Sequence, residues 1–268
     1  MPLLLVASIA FAGLAVLFVI VWRWQLRSLN AGMIDPVWAA SLGGVALLYA
    51  LAGTGDPLRR IAVGIGGACW GARLGFHLWR RNAGKPEDAR YRRLREEWGV
   101  AAPRRMLGFF LAQAVASSVL AVSFAVPAYT RGRLSMGLVA LGAAIWIIAT
   151  VGEAMADRQL AAFVAQPANR GKVCREGLWR YSRHPNYFFE CLHWFAYVPI
   201  AAGSAWIALS VVPPLLMGWL LLRVSGIPVL EAHLATSRPG YADYVRTTSA
   251  LIPWPPRNAR EPLQKSEP

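Results

Sequence analysis

Seven apolar stretches, separated by basic loops, set the terms on which this chain can fold. They run roughly over residues 3–22, 36–53, 61–79, 106–129, 134–155, 187–202 and 206–222. A helix needs about 20 apolar residues to cross a hydrocarbon layer of about 30 Å, and most of these stretches approach that length. The sixth is short, and it tilts, starts earlier, or pairs with the seventh as a hairpin around Gly203-Ser204. Hydrophobic residues make up 56% of the chain, against about 45–50% in soluble domains. The excess lies in these long runs. The pattern therefore predicts an all-α, polytopic integral membrane protein with about seven transmembrane helices.

The formal net charge of +14 raises the question of nucleic acid, but the placement of the charge argues against it. Nine Lys or Arg fall in residues 80–105, six in 157–186 and six from Arg223 onward. Residues 203–205 carry none and 130–133 only two. Seven spans put all three basic regions on one side, which the positive-inside rule makes the cytoplasm. The amino terminus is then outside and the carboxyl terminus cytoplasmic, with Arg59 and Arg60 running against the trend. Several of the twelve tryptophans sit near segment ends, as interface belts require. Cys69, Cys174 and Cys191 are odd in number and match no zinc spacing, so no disulfide framework is expected. The first run lacks a basic start and a small-residue cleavage site before Trp22, and reads as a retained helix. Residues 1–256 form one transmembrane catalytic domain in this reading, and 257–268 a polar, Pro-rich tail.

The densest chemistry lies in GLWRYSRHPNYFFE, residues 177–190. It gathers Arg180, Tyr181, Arg183, His184, Asn186, Tyr187 and Glu190 at the mouth of an apolar segment. Pro185 suits a first helical turn, where its missing N–H has no partner to lose. Asn186 and Glu190, four apart, share a helix face that Arg183 approaches from the preceding turn. Such a face offers donors and acceptors to phosphate, ribose or amide groups. A basic, aromatic interface anchor accounts for Arg180 and Tyr181 equally well. It accounts less well for Asn186 and Glu190, because polar groups entering a bilayer are costly.

Other polar groups are distributed along the chain. Residues 89–98 read as a short amphipathic helix, lying on headgroups or catching a cofactor phosphate with its arginines. Arg73 and His77 are four apart inside the third run, facing a cavity or snorkelling. Gly64, Gly66 and Gly67 superficially match a dinucleotide fingerprint, yet no strand precedes them, and close helix packing explains them better. Asp35-Pro36 reads as an ordinary helix start with Asp as N-cap, or as a carboxyl at a cavity mouth. Glu153 and Asp157 share a face and suit hydrogen bonding to ribose or amide better than metal, since no histidine lies nearby. Beyond Arg223, residues 231–244 alternate polar and aromatic groups, including Glu231, Tyr241 and Tyr244, as surface structure or as a lid. No Walker, nucleophile-elbow, H-E-x-x-H or C-x-x-C motif is present.

Four stretches carry a resemblance that covers nearly the whole chain: RLGFHLWRRNAGKPEDARY (73–91), EAMADRQLAAF (153–163), ANRGKVCREGLWRYSRHPNYFFE (168–190) and LLLRVSGIPVLEAHLATSRPGYADYV (220–245). On these the chain resembles a bacterial membrane protein family of unknown function that belongs with the steroid 5α-reductases. The wider superfamily also includes the isoprenylcysteine methyltransferases, which use S-adenosylmethionine. The resemblance implies a steroid-reductase-like helical bundle in the bacterial inner membrane and NADPH bound without a Rossmann domain. By matching position it implies that Asp157, Asn186, Glu190 and Arg223 approach the dinucleotide, with Glu231 and the Arg180–Tyr187 stretch nearby. In the steroid reductases a Glu near the start of the second helix and a Tyr on the third act on the substrate carbonyl. Here Asp35 stands near the Glu position, while the Tyr position holds Gly75 with His77 close by.

The expected function is an NADPH-dependent reductase of a C=C bond in a lipophilic enone, steroid-like or isoprenoid-like, that enters from the bilayer. Asp35 or His77 is the expected donor to the developing enolate oxygen, and Glu190 and Asn186 orient the nicotinamide. Membrane lipid is an expected neighbour; neither nucleic acid nor an oligomer is indicated. The alternative is an S-adenosylmethionine-dependent membrane methyltransferase of the isoprenylcysteine type. It is disfavoured because Glu231 is followed by Ala232, where the methyltransferases usually carry a double Glu. A non-catalytic lipid-binding membrane protein is the third reading.

Overall fold

A computed structural model describes residues 1–257. The expected tail therefore lies, apart from Arg257, outside the described residues. Among these residues the secondary structure is helical, with one isolated β-bridge between Ser182 and Ser249. Five stretches are long and apolar enough to cross a membrane: Leu3–Ser28, Ala31–Ala52, Ala89–Tyr129, Met136–Ala165 and Ile207–Ser237. The count of seven is not reached in this form. The third apolar run lies in a helix long enough, but it carries Arg59, Arg60, Arg73, Arg80 and Arg81. The sixth folds as two short helices. The chain divides into two compact units, Met1–Trp146 with Trp194–Leu216, and Ile147–His193 with Met217 onward.

The first unit contains α1 (Leu3–Ser28), α2 (Ile34–Ala52), α3 (Pro57–Asn82), α4 (Ala89–Trp98), α5 (Ala102–Leu120), α6 (Val122–Tyr129), the start of α7 (Met136–Ala165), α9 (Tyr197–Ile200) and the start of α10 (Val212–Trp219). In α1, Val6, Ala10, Leu14, Phe18, Val21 and Gln25 are buried. Steps of three and four residues place them on one stripe. Leu4, Val16 and Ile20 on the other faces are exposed, as apolar residues facing lipid would be. Asp56 caps α3 by accepting from the N–H groups of Leu58 and Arg59, and Pro57 opens the helix.

Glycines let α2 and α3 approach closely. A Cβ on Gly71 would lie 2.7 Å from the Ala39 carbonyl oxygen and 2.8 Å from Gly43 Cα. One on Gly64 would lie 2.9 Å from Ala50 Cβ, and one on Gly67 would collide with Ala46 Cβ. Helix packing, not nucleotide binding, is thus what these glycines serve. Trp70, Trp194 and Phe124, all fully buried, form the aromatic centre of this unit. Their ring centroids are 5.1 Å (Trp70–Trp194) and 5.7 Å (Phe124–Trp194) apart, edge-on or tilted.

The two arginines that ran against the charge rule have structural partners. Arg60 Nε donates to the Ala50 carbonyl at 2.7 Å and its Nη2 to Leu51 at 3.0 Å. Those are carbonyls of the last turn of α2, which have no partner inside the helix. Arg59 is buried, with its guanidinium on the carbonyls of Ile200 and Gly132. Both guanidinium groups are thus held by backbone carbonyl oxygens of this unit.

Asp35 does not cap α2, as its sequence context suggested. The helix begins at Ile34 behind a short 3-10 turn, and no side chain caps it. The Asp35 carboxylate instead accepts from Tyr91 Oη at 2.6 Å and from Arg90 Nη2 at 2.8 Å. Arg95 bridges Gln25 and Glu87, at 2.8 Å each. The helix expected at 89–98 is present, but Arg90 and Arg95 tie it to α1 and α2, leaving Arg92 and Arg93 exposed.

Asp88, at the N-cap of α4, supplies a pH prediction. Burial alone would push its carboxyl up, but hydrogen bonds and charge from Arg90, with Arg81 behind, outweigh this and hold it below the usual range. A carboxyl lowered in the folded state adds stability above its unfolded value of about 3.9, and loses it as pH falls through the lower folded value. Thermal melts between neutral and acidic pH are expected to show a smaller acid-side loss in Asp88→Asn than in the parent. Identical acid profiles would remove Asp88 as a contributor.

Candidate functional site

The second unit holds the Arg-His-Pro stretch. Pro185 is the first residue of α8 (Pro185–Phe195), and the helix is entered through a 3-10 turn, Gly177–Arg180. Gly177 has φ +57° with the Gln159 amide packed where a Cβ would stand, so only glycine fits without strain. Gln159 Oε1 accepts from the Leu178 N–H at 2.9 Å, and Trp179 Nε1 donates to the Ala156 carbonyl at 2.9 Å. These contacts fasten the turn to α7.

Arg183 and His184 converge on one carboxylate. Glu231, on α11 (Ile227–Ser237), accepts from Arg183 Nε at 2.7 Å and Nη2 at 3.2 Å, a bidentate fork. His184 Nε2 lies 2.9 Å from the same Glu231 Oε1. Because that carboxylate accepts, Nε2 carries the proton. The imidazole stacks on Tyr187 with centroids 5.5 Å apart. Arg183 Nη1 also donates to the Thr248 carbonyl at 2.6 Å and the Val245 carbonyl at 3.2 Å.

The chain after α11 is stitched onto this stretch. Helix α12 (Tyr241–Thr247) places Tyr244 so that its hydroxyl donates to the carbonyls of Trp179 and Ser182. Burial pushes the phenols of Tyr241 and Tyr244 well up, so both stay neutral and the Tyr244 hydroxyl keeps the proton it donates. The Arg183 N–H donates to Ser249, the Ser182 hydroxyl to Leu251, and the Trp254 N–H to Tyr181, at 2.8, 2.8 and 2.9 Å. The stretch from Tyr244 to Trp254, which follows the segment read as surface structure or a lid, is a strap hydrogen-bonded to the motif at several points.

Asn186 Nδ2 reaches Asp157 Oδ1 across 3.3 Å, joining α8 to α7. Glu190, one turn further along α8, is 6% exposed, and Glu153, one turn before Asp157, is 4% exposed. Arg180, Tyr181 and Arg223 are exposed, and Tyr187 is half-buried. Asp35 and a half-buried His77 belong to the other unit. Of the expected cofactor residues, Arg183, His184 and Glu231 form one cluster, and Asp157 and Asn186 a second, joined through α8. Among the described residues no group of three or more His, Cys, Asp or Glu is placed to hold a metal.

Two partners escaped the sequence reading. Tyr91, assigned there to the apolar side of an amphipathic helix, is the hydroxyl on Asp35. Trp179 locks the turn before the motif. Neither position carries a sequence signal for its partner, since both contacts join residues more than twenty positions apart.

Fold and site together define an all-helical protein whose several apolar helices suggest a membrane-embedded chain, with a buried polar cluster built on an Arg-His-Pro turn. The chain belongs to the family described as "Protein of unknown function (DUF1295)", whose model matches residues 21–248. No curated protein and no solved structure matches it.

Proposed function

We propose that this protein is a membrane-embedded, NADPH-dependent reductase of a C=C bond in a lipophilic enone, related to the steroid 5α-reductases. The observation that carries the reading is the contact between Asp157 and Asn186, beside a buried Glu190. A carboxylate and an amide on adjacent helices suit ribose hydroxyls and a carboxamide, groups that offer both donors and acceptors. Exposed Arg180 and Arg223 suit phosphate, through bidentate guanidinium contacts. Arg183, His184 and Glu231 act as positioning residues in this reading. They hold the first turn of α8, and with it Asn186 and Glu190, in register.

The chemistry supplied by bound NADPH is hydride delivery to the enone β-carbon. Of the two residues expected as donor to the carbonyl oxygen, Asp35 is a carboxylate that accepts from Tyr91 and Arg90, so the donor is assigned to His77. Removing such a donor slows chemistry by about 10²–10³-fold. The substrate enters from the bilayer, and the protein lies in the bacterial inner membrane with its carboxyl terminus in the cytoplasm.

Ligand-dependent melting of the purified protein tests this reading. NADPH at 100 times its dissociation constant is expected to add about 2.7 kcal/mol of stability. Asp157→Asn and Asn186→Ala are each expected to weaken NADPH binding about tenfold, or about 1.4 kcal/mol. Stabilisation by S-adenosylmethionine and not by NADPH would overturn the proposal in favour of the methyltransferase.

A further inference from the structure

A hollow on the same unit lies apart from the contact between Asp157 and Asn186, neither of which lines it. Its volume is about 400 Å³, and Arg183, Arg246, Thr247, Ser249, Trp254 and Arg257 contribute to its lining. That volume falls within the range of about 300–1,000 Å³ common for small-molecule sites.

The lining is held in place by the backbone. The Arg183 N–H donates to Ser249, the Trp254 N–H to Tyr181, and the Arg257 N–H to Thr247, at 2.8, 2.9 and 2.8 Å. The charge is unbalanced. Glu231 pairs with Arg183 and Asp243 with Arg246, so three guanidinium groups face two carboxylates and a positive surplus remains. Guanidinium forks match the oxygen spacing of phosphate.

The segment that carries Trp254 into the lining adds a second observation. Ile252 and Trp254 are 63% and 68% exposed on a segment whose backbone is tied down at Trp254. Exposed apolar and indole side chains among arginines are the composition of a protein surface that meets lipid headgroups.

We propose that this hollow binds the phosphate of an anionic membrane lipid, with Ile252 and Trp254 dipping into the adjoining interface. Arg246 and Arg257 make the phosphate contacts, and the Arg183 pair with Glu231 forms the back wall. The proposal does not depend on the reductase reading: it survives if NADPH fails to bind.

The test uses the full chain in nanodiscs of phosphatidylcholine with a minor fraction of phosphatidylglycerol, followed by native mass spectrometry of the lipid retained. Phosphatidylglycerol is expected to be enriched about tenfold over its bulk fraction. The enrichment is expected to vanish in Arg246→Gln/Arg257→Gln at an unchanged melting temperature. Both side chains are exposed, and Arg257→Gln alone decides the matter if losing the Asp243 partner disturbs α12. Pyrophosphate, added to protein in detergent, separates the sources. Protection of the parent but not the double variant, without lipid enrichment, would keep the phosphate site and discard the lipid. No enrichment and no protection, or enrichment that survives both substitutions, would overturn the proposal.

Discussion

Arg183→Ala is expected to cost about 3 kcal/mol of stability and to release the strap that follows α11. Removing one partner of a buried ion pair typically costs about 3–5 kcal/mol, because the other charge is left without compensation. The lower end applies here, since Arg183 is 9% exposed but Glu231 keeps 20% of its side chain in contact with solvent. The same truncation strands the Thr248 and Val245 carbonyls, which Arg183 Nη1 satisfies. Thermal melts in detergent read the first effect. Trypsin cleavage at Arg238 and Arg246 reads the second. Arg183→Lys keeps the charge but loses the fork, and is expected to fall between. Arg183→Met/Glu231→Leu should recover part of the loss, because removing both charges removes the stranded one. A double variant as unstable as Arg183→Ala would show that the backbone contacts, not the ion pair, dominate.

Gly71→Val is expected to destabilise the first unit by about 3 kcal/mol or more, the upper part of the range for overpacked cores. The atoms in the way are the Ala39 carbonyl oxygen and Gly43 Cα. Backbone cannot rotate aside as a side chain can, so α2 and α3 must separate along their contact. Gly44→Ala is the control. It lies in α2, the helix that Gly71 packs against, with open space where its Cβ would stand, and it should gain about 0.5–1 kcal/mol from helix propensity. Equal melting temperatures for Gly71→Val and the parent would mean that the close approach of these helices contributes nothing.

Helical class and the presence of stretches long and apolar enough to cross a membrane were legible because they depend on local quantities. An apolar run of about 20 residues satisfies its backbone only within itself, wherever it lies. The start of α8 was legible too, since Pro185 acts through its own ring. The neighbourhood of Asn186 and Glu190 followed from helical spacing alone.

Partner choice was not legible. Asp35 reads as a cap from its neighbours, yet its oxygens go to Arg90 and Tyr91, more than fifty residues away. Arg59 and Arg60 read only as charges running against the orientation rule, yet they answer carbonyls at helix ends and in turns. Arg183 reads as approaching a cofactor-binding face, and no sequence signal announces that it also ties Glu231 to the strap. In each case a polar group near apolar surroundings needed some partner, and its own residue type announced that need. Which partner answered depended on the packing that brought distant segments within about 3 Å, because hydrogen bonds fade within an ångström of that range. The need was written locally, and the answer came from the folded chain.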